Sequence, residues 1–456
     1  MTISPTIRMP ELHQVTLKDV RVATWICFFA WTFAVYDFVL FGNLLPSFAA
    51  DMGWTEAQST TVNTWVTVGT AVVAFGIGPI VDKIGRRKGI IISVIGAAVA
   101  SALTAVAGWA IGLSAGIGLV FLLLVRSVAG LGYGEQALNA TYLNELFAQV
   151  YTSPEQAKRR GFIYSMVQSG WPIGSVIAAA SVYVLFPIGG WALCFVVAVF
   201  PAIFIAIAGI WLKESPQFKN RKAALELLRA GHVAEARAFA AAAGVSIEEQ
   251  TAPLSAVFKG ESLRAVVCIG LGFTLSWFGV LVFVILGTSL LTSATGKDID
   301  FSDSLLILMI SNGTAFFGYL FHGWLGDRIG RRNTIALGWL LAGLSFAAMV
   351  WTPSEQSVLI IVWYSAGLFF LIGPFAALLF FNGESFPVHT RATGGAIINA
   401  GGQVGAVIAG ILVTASLGAG VSWNTTAMLW GVVPTVIAAV VILGARSLPP
   451  GAVRVD

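Results

Sequence analysis

The chain has 456 residues, 57% of them hydrophobic and 11% charged, with a mean hydropathy of +0.85. That composition excludes a soluble globular protein and places the chain in a lipid bilayer. The net charge of +4 and pI near 9.0 do not mark a nucleic-acid surface. Of 26 Lys and Arg residues, 24 fall in the termini and loops of one side, Lys297 falls in a loop of the other, and Arg126 lies inside an apolar run, which is the positive-inside pattern.

Twelve apolar runs are long enough to cross a membrane, at about 22–46, 61–81, 89–109, 118–145, 161–186, 191–212, 265–291, 304–325, 334–351, 357–382, 392–417 and 423–445. An even number puts both termini on one side, and Arg8, Lys18, Arg21, Arg446 and Arg454 make that side the cytoplasm. The organisation expected is an all-α membrane protein with a first half at 1–212, a cytoplasmic loop at 213–264 and a second half at 265–456. The segment before Arg21 is polar with no apolar core, so the first run acts as the internal start signal. Cys27, Cys194 and Cys268 lie in apolar runs without pairing or metal spacing, and neither a disulfide nor a metal is expected. In the central loop, Leu225 and Leu228, then Val233, Ala236 and Ala240, have helical spacing interrupted at Gly231.

Two short loops repeat. Gly78-Pro79-Ile80-Val81-Asp82-Lys83-Ile84-Gly85-Arg86-Arg87 joins the second and third runs, and Gly323-Trp324-Leu325-Gly326-Asp327-Arg328-Ile329-Gly330-Arg331-Arg332 joins the eighth and ninth. A second pair follows the same register: Glu145 ends the fourth run ahead of Arg160, and Glu384 ends the tenth ahead of Arg391. Repeated motifs at matched positions mean two tandem copies of six helices.

Three ionisable residues stand deep inside apolar runs, where a charge costs at least about 2.5–3.5 kcal/mol. Asp37 is 15 residues above Val22 and Arg126 is 19 residues above Glu145. On ascending and descending helices these offsets give about 22 Å and about 28 Å; with Glu145 projecting a few Å below the core, the two heights agree to within the helix boundaries. A carboxylate beside an arginine neutralises it, and protonation of that carboxylate releases the guanidinium. Glu135 is nine residues past Arg126, half a turn out of phase. The second half has no such group; polar and aromatic residues there, Trp277, Asn312, Phe370, Asn399 and Gln403, are candidate substrate contacts, as are Tyr36, Asn63, Tyr164, Gln168 and Trp171 in the first half.

The duplicated G-x-x-x-D-(K/R)-x-G-R-R loop resembles the signature of the major facilitator superfamily, and the resemblance covers nearly the whole chain. It implies twelve helices in two halves around a midplane cavity, with one half rocking against the other. It further implies that Asp82 and Asp327 tether their loops to neighbouring helix ends. Glu145 and Glu384 would pair with the motif arginines, and these ties would form when the protein faces outward and break when it opens inward. The Asp37 and Arg126 pair resembles the proton-coupling pair of many symporters of the superfamily. Tyr133-Gly134-Glu135-Gln136 resembles the Gly-Gly-Glu stretch of metabolite, sialic-acid and aromatic-acid symporters. Glu214-Ser215-Pro216 and Gly373-Pro374 resemble signatures of sugar porters and their relatives.

The function expected is a proton symporter importing a small organic solute, an organic acid, whose carboxylate binds Arg126 once Asp37 is protonated. It would act as a monomer in a bacterial inner membrane, with the proton as coupling ion and no cofactor. A proton-coupled drug or metabolite exporter and a sugar:proton symporter are the alternatives. The 271–291 stretch has no Gln, which argues against a sugar, and Gly170-Trp171-Pro172-Ile173-Gly174 matches an exporter motif only in part. No H-E-x-x-H or clustered His and carboxylates suggest an enzyme.

Overall fold

A computed structural model describes residues 10–247, 254–386 and 391–447. Eleven stretches among them are helical, long and apolar enough to cross a membrane, and one, Phe162–Trp211, is 50 residues long. That stretch is two crossings. At Gly189 and Gly190 the backbone leaves helical geometry, with φ +64° at Gly190. Beyond the break Trp191 donates to Asp51 Oδ2 at the end of the first helix (2.9 Å), whereas the carbonyls of Gly209 and Ile210 meet Arg87 at the opposite end of the bundle. The chain therefore reverses at the break, and twelve crossings result.

These are α1 (Leu17–Met52), α2 (Glu56–Ile84), α3 (Arg86–Thr104), α4 (Gly116–Val150), α5 (162–188), α6 (191–211), α7 (Gly260–Ile285, continued by Gly287–Thr292), α8 (Phe301–Ile329), α9 (Arg331–Trp351), α10 (Ser357–Leu378), α11 (Thr393–Gly418) and α12 (Trp423–Leu443). Helix starts carry their own caps. Thr16 with Asp19 and Thr55 with Gln58 form reciprocal capping boxes, satisfying donors that would otherwise be orphaned. The third crossing ends at Thr104, short of the expected 109, and a separate helix at Ala107–Leu113 follows. Helix α4 is interrupted at Ala129, and α10 at Gly373-Pro374, where proline removes a backbone donor.

The face bearing the termini and both repeated loops is called the basic face here. In both loops the turn is made by a glycine with positive φ, +102° at Gly85 and +85° at Gly330, a conformation that side chains disfavour. On the same face the central segment forms helices Pro216–Arg229 and Val233–Ala243, which bury Ala224, Leu227, Ala236, Phe239 and Ala240 against each other. That matches the interrupted spacing in the sequence.

At the opposite face the halves are closed on each other. Thr288 of the second half donates to Asn43 of the first (3.3 Å), and Ser293 donates to Glu56 (2.5 Å). Phe186 and Phe301 pack at a tilt across the junction, 5.1 Å between centroids. Gly42 of α1 lies against the Ile285 carbonyl of α7 so closely that a Cβ would strike that oxygen.

Candidate functional site

The buried charges are as close as their heights predict. Arg126 Nη1 lies 3.4 Å from Asp37 Oδ1, and Nη2 donates to the Asp37 carbonyl at 3.3 Å. The Ser101 hydroxyl of α3 donates to the same carboxylate oxygen. The guanidinium is sandwiched between the rings of Phe41 (5.0 Å) and Phe195 (5.4 Å), contacts that favour a cation. All these partners belong to the first half, so Arg126 sits among α1, α3, α4 and α6.

Glu135 is fully buried with neither carboxyl oxygen hydrogen-bonded. Its polar neighbour Asn139, the side chain within reach, donates to the Cys27 carbonyl at 3.2 Å. Next along α4, Gln136 donates to Gln168 (3.0 Å), which donates to the Tyr164 hydroxyl (2.8 Å). As its phase requires, Glu135 makes no pair with Arg126.

Where the halves meet, aromatic rings form a continuous wall. Trp171 of α5 and Trp277 of α7 are 6.1 Å apart and edge-on, Tyr133 of α4 is 5.8 Å from Trp277, and Trp31 of α1 is 5.8 Å from Trp171. Phe38 closes one side against Tyr133 and Trp171, and Phe273 the other against Trp277. The indole N–H groups of Trp31, Trp171 and Trp277 are buried without acceptors, and the Gln403 amide has only the Tyr133 hydroxyl within reach. Each such group costs about 1–3 kcal/mol.

Of the sequence-predicted contacts, Tyr164, Gln168, Trp171, Trp277 and Gln403 gather at this seam. Tyr36 is held by Ser181 within the first half (3.3 Å). Asn63 is buried on α2 with its amide nitrogen unpaired. Asn312 donates to the Leu308 carbonyl at 2.9 Å on its own helix. Phe370 packs against His322 inside the second half, and Asn399 is exposed. The sequence reading missed Trp31, Phe38, Tyr133 and Phe273. Trp31 and Phe38 are two turns apart on one face of α1, a spacing that could have marked them.

The repeated loops are built alike. Arg86 reaches Glu145 (3.4 Å) and Arg331 reaches Glu384 (2.9 Å). Arg87 donates to the Gly209 and Ile210 carbonyls, and Arg332 donates to the Leu443 and Ala445 carbonyls. Each second arginine thus caps the C-terminal end of the last helix in its half, where the helix dipole favours a cation. The Glu214 carboxylate accepts from the Arg86 (2.9 Å) and Arg87 (3.2 Å) amides at the start of α3, and Ser215 donates to Glu145.

With the opposite face shut, Asp82 and Asp327 make no tie to a neighbouring helix; their side chains are 70% and 74% exposed and bond Arg86 and Arg331 one turn along. One expectation is corrected: the arginine–glutamate pairs are formed although the opposite face is shut, because both partners of each pair belong to the same half. Arg160 donates to the Tyr151 carbonyl rather than to a carboxylate. The Arg391 side chain, and the connector at 387–390 with His389, lie outside the described residues.

Twin six-helix halves that close over a buried seam have the architecture of a membrane transporter. A family model described as Major Facilitator Superfamily matches residues 24–381 and 273–455, and the chain belongs to that family. Among curated relatives it is 27% identical over 391 residues to a Cupriavidus pinatubonensis protein named "Probable 4-methylmuconolactone transporter", covering 84% of this chain and 80% of the relative. It is 23% identical over 436 residues to a niacin transporter of Acinetobacter baylyi, covering 92% of each. It is 27% identical over 455 residues to a 4-hydroxybenzoate transporter of Pseudomonas putida, covering 92% and 90%. The chain is a multi-pass membrane transporter and not an enzyme.

Proposed function

We propose that this transporter imports a small aromatic carboxylate together with protons, by alternating access across a bacterial inner membrane. The basic face is cytoplasmic, and the protein works as a monomer. The observation that carries the reading is the aromatic wall at the junction of the halves. Trp171 and Trp277 come from opposite halves, so a planar ring entering between them would be stacked by one side chain of each. Niacin and 4-hydroxybenzoate, named as the cargo of two relatives, are planar rings of that kind.

Asp37, Arg126 and Glu135 supply the proton handling in this reading. Protonation of Asp37 removes the counter-charge from Arg126 and loosens α1 from α4. A charge buried at Glu135 is costly and a neutral carboxyl is not, so in this reading Glu135 is a second place where a proton is taken up. The Gln136, Gln168 and Tyr164 chain then links that region of α4 to α5 at the seam.

The test is proton movement in liposomes holding the purified protein and a trapped pH dye, on adding 4-hydroxybenzoate, nicotinate, a neutral sugar or a cationic drug. Acidification of the lumen with an aromatic acid, absent in Asp37→Asn, is expected. Alkalinisation driven by the drug, with both acids silent, would replace import with export.

A further inference from the structure

Resting on that cargo, we infer that the substrate carboxylate is held at the seam by neutral N–H donors, the indoles of Trp171 and Trp277 and the Gln403 amide, and not by Arg126. These three side chains come from α5, α7 and α11 and are 3%, 2% and 2% exposed. Neither indole has an acceptor, the Gln403 amide has only the Tyr133 hydroxyl within reach, and the indole of Trp31, 1% exposed and tilted against Trp171, is unpaired as well. Buried polar groups in native proteins are nearly always satisfied. Three unpaired indoles and an amide with one weak partner, from four helices of both halves, describe a place where a ligand supplies what the protein lacks. An indole only donates, so the missing partner is an acceptor. A carboxylate brings up to four acceptor sites in one plane with its ring.

Arg126 is badly placed for this task. Its guanidinium is bonded to Asp37 and covered by Phe41 and Phe195, and every one of those groups lies in the first half. A ligand there would touch one half only and could not couple its own binding to closure. Neutral donors also suit the return step. An importer must close over its empty site, and a fixed cation stranded at a closing seam would oppose that closure. Unpaired indoles impose a smaller penalty and leave the empty carrier free to reorient.

The experiment compares binding of 4-hydroxybenzoate and nicotinate with their neutral carboxamides, by calorimetry on the purified full-length protein. Trp171→Phe, Trp277→Phe and Gln403→Leu keep apolar bulk and remove a donor. Each is expected to weaken the acid about tenfold or more, since hydrogen bonds to charged groups are the strong ones. Each should leave the amide within about threefold. The charge-neutral double variant Asp37→Asn/Arg126→Gln is expected to keep the preference for acid over amide. Thermal midpoints of all variants separate lost binding from lost folding. Acid preference that survives all three donor substitutions but vanishes in the double variant would overturn the donor assignment and return the carboxylate to Arg126. Failure of the wild type to bind either acid would instead remove the cargo reading, and the assignment with it.

Discussion

Replacing Asp37 with Asn separates charge from shape at the buried pair. The asparagine retains an acceptor for Ser101, and the Arg126 bond to the residue-37 carbonyl, 3.3 Å, involves only backbone. What disappears is a negative charge 3.4 Å from Nη1. At an effective dielectric of about 20, two unit charges at that distance attract by about 5 kcal/mol. Removing one member of a buried pair costs about 3–5 kcal/mol, because the other is left uncompensated, whereas removing both is often close to neutral. Asp37→Asn should therefore lose about 3–5 kcal/mol, and Asp37→Asn/Arg126→Gln should recover most of it. Thermal unfolding in detergent of the wild type, both single variants and the double variant closes the cycle. Strictly additive losses, with a coupling below about 0.5 kcal/mol, would show that the charges do not sense each other. The pair could then neither fix packing nor report a proton.

Three further outcomes follow from contacts elsewhere. Lys297, 2% exposed, donates to the Val350 and Thr352 carbonyls at 2.7 Å each; Lys297→Met strips the end of α9 of both donors and should cost about 2–4 kcal/mol, seen as a lower thermal midpoint, while an unchanged midpoint would mean that water replaces the ammonium. Gly42→Ala sets a methyl against the Ile285 carbonyl, adding about 1–3 kcal/mol against closure; labelling of a Ser293→Cys reporter from the outside should speed up several-fold, and an unaltered rate would place the hinge elsewhere. His13 bonds the Glu214 carbonyl and Asn220 across the central loop, and burial, followed by the Lys219 charge, lowers its pKa below the usual 6.5. A depressed histidine is neutral when docked, so docking is fully stabilised above about 6.5 and is lost as pH falls through the docked value. Proteolysis of the N-terminal arm should be faster at acidic pH, with His13→Gln flattening the dependence.

Charge and spacing carried most of what was legible in the sequence. Asp37 and Arg126 could be brought together because a helix converts residue offsets into heights, and only ionisable residues are scarce enough in apolar runs for two of them to be informative. The loops were legible for a similar reason, being duplicated. Aromatics are different. With 31 Phe and 15 Trp in the chain, the spacing of Trp31 and Phe38 puts them on one face of α1, but it does not say that this face lines a seam, because the rotation of each helix about its axis is set by packing between halves. Phe370 and Asn399 lie outside that wall for the same reason: one packs on His322 and the other is exposed. Glu214 was legible as part of a signature, but its capping of α3 depends on a fold-back from α6 that no local pattern encodes.

The geometry also sorts the charged contacts by whether rocking could change them. Arg86 with Glu145, Arg331 with Glu384, and the two arginines capping α6 and α12 all join residues of one half. A rigid-body rotation of one half against the other leaves their distances untouched, so they stiffen each half as a lever and cannot register its position. Asp82 and Asp327 differ, because their carboxylates stand exposed on the basic face with only an arginine of their own loop as partner. If the halves close on that face, these two are the motif carboxylates free to be engaged across the junction. The opposite face, where Glu56 meets Ser293 and Gly42 meets Ile285, must then open. Substituting Asp82 or Asp327 should therefore shift the balance toward the state seen here. Substituting Glu145 or Glu384 should instead weaken a half without biasing the direction in which it moves.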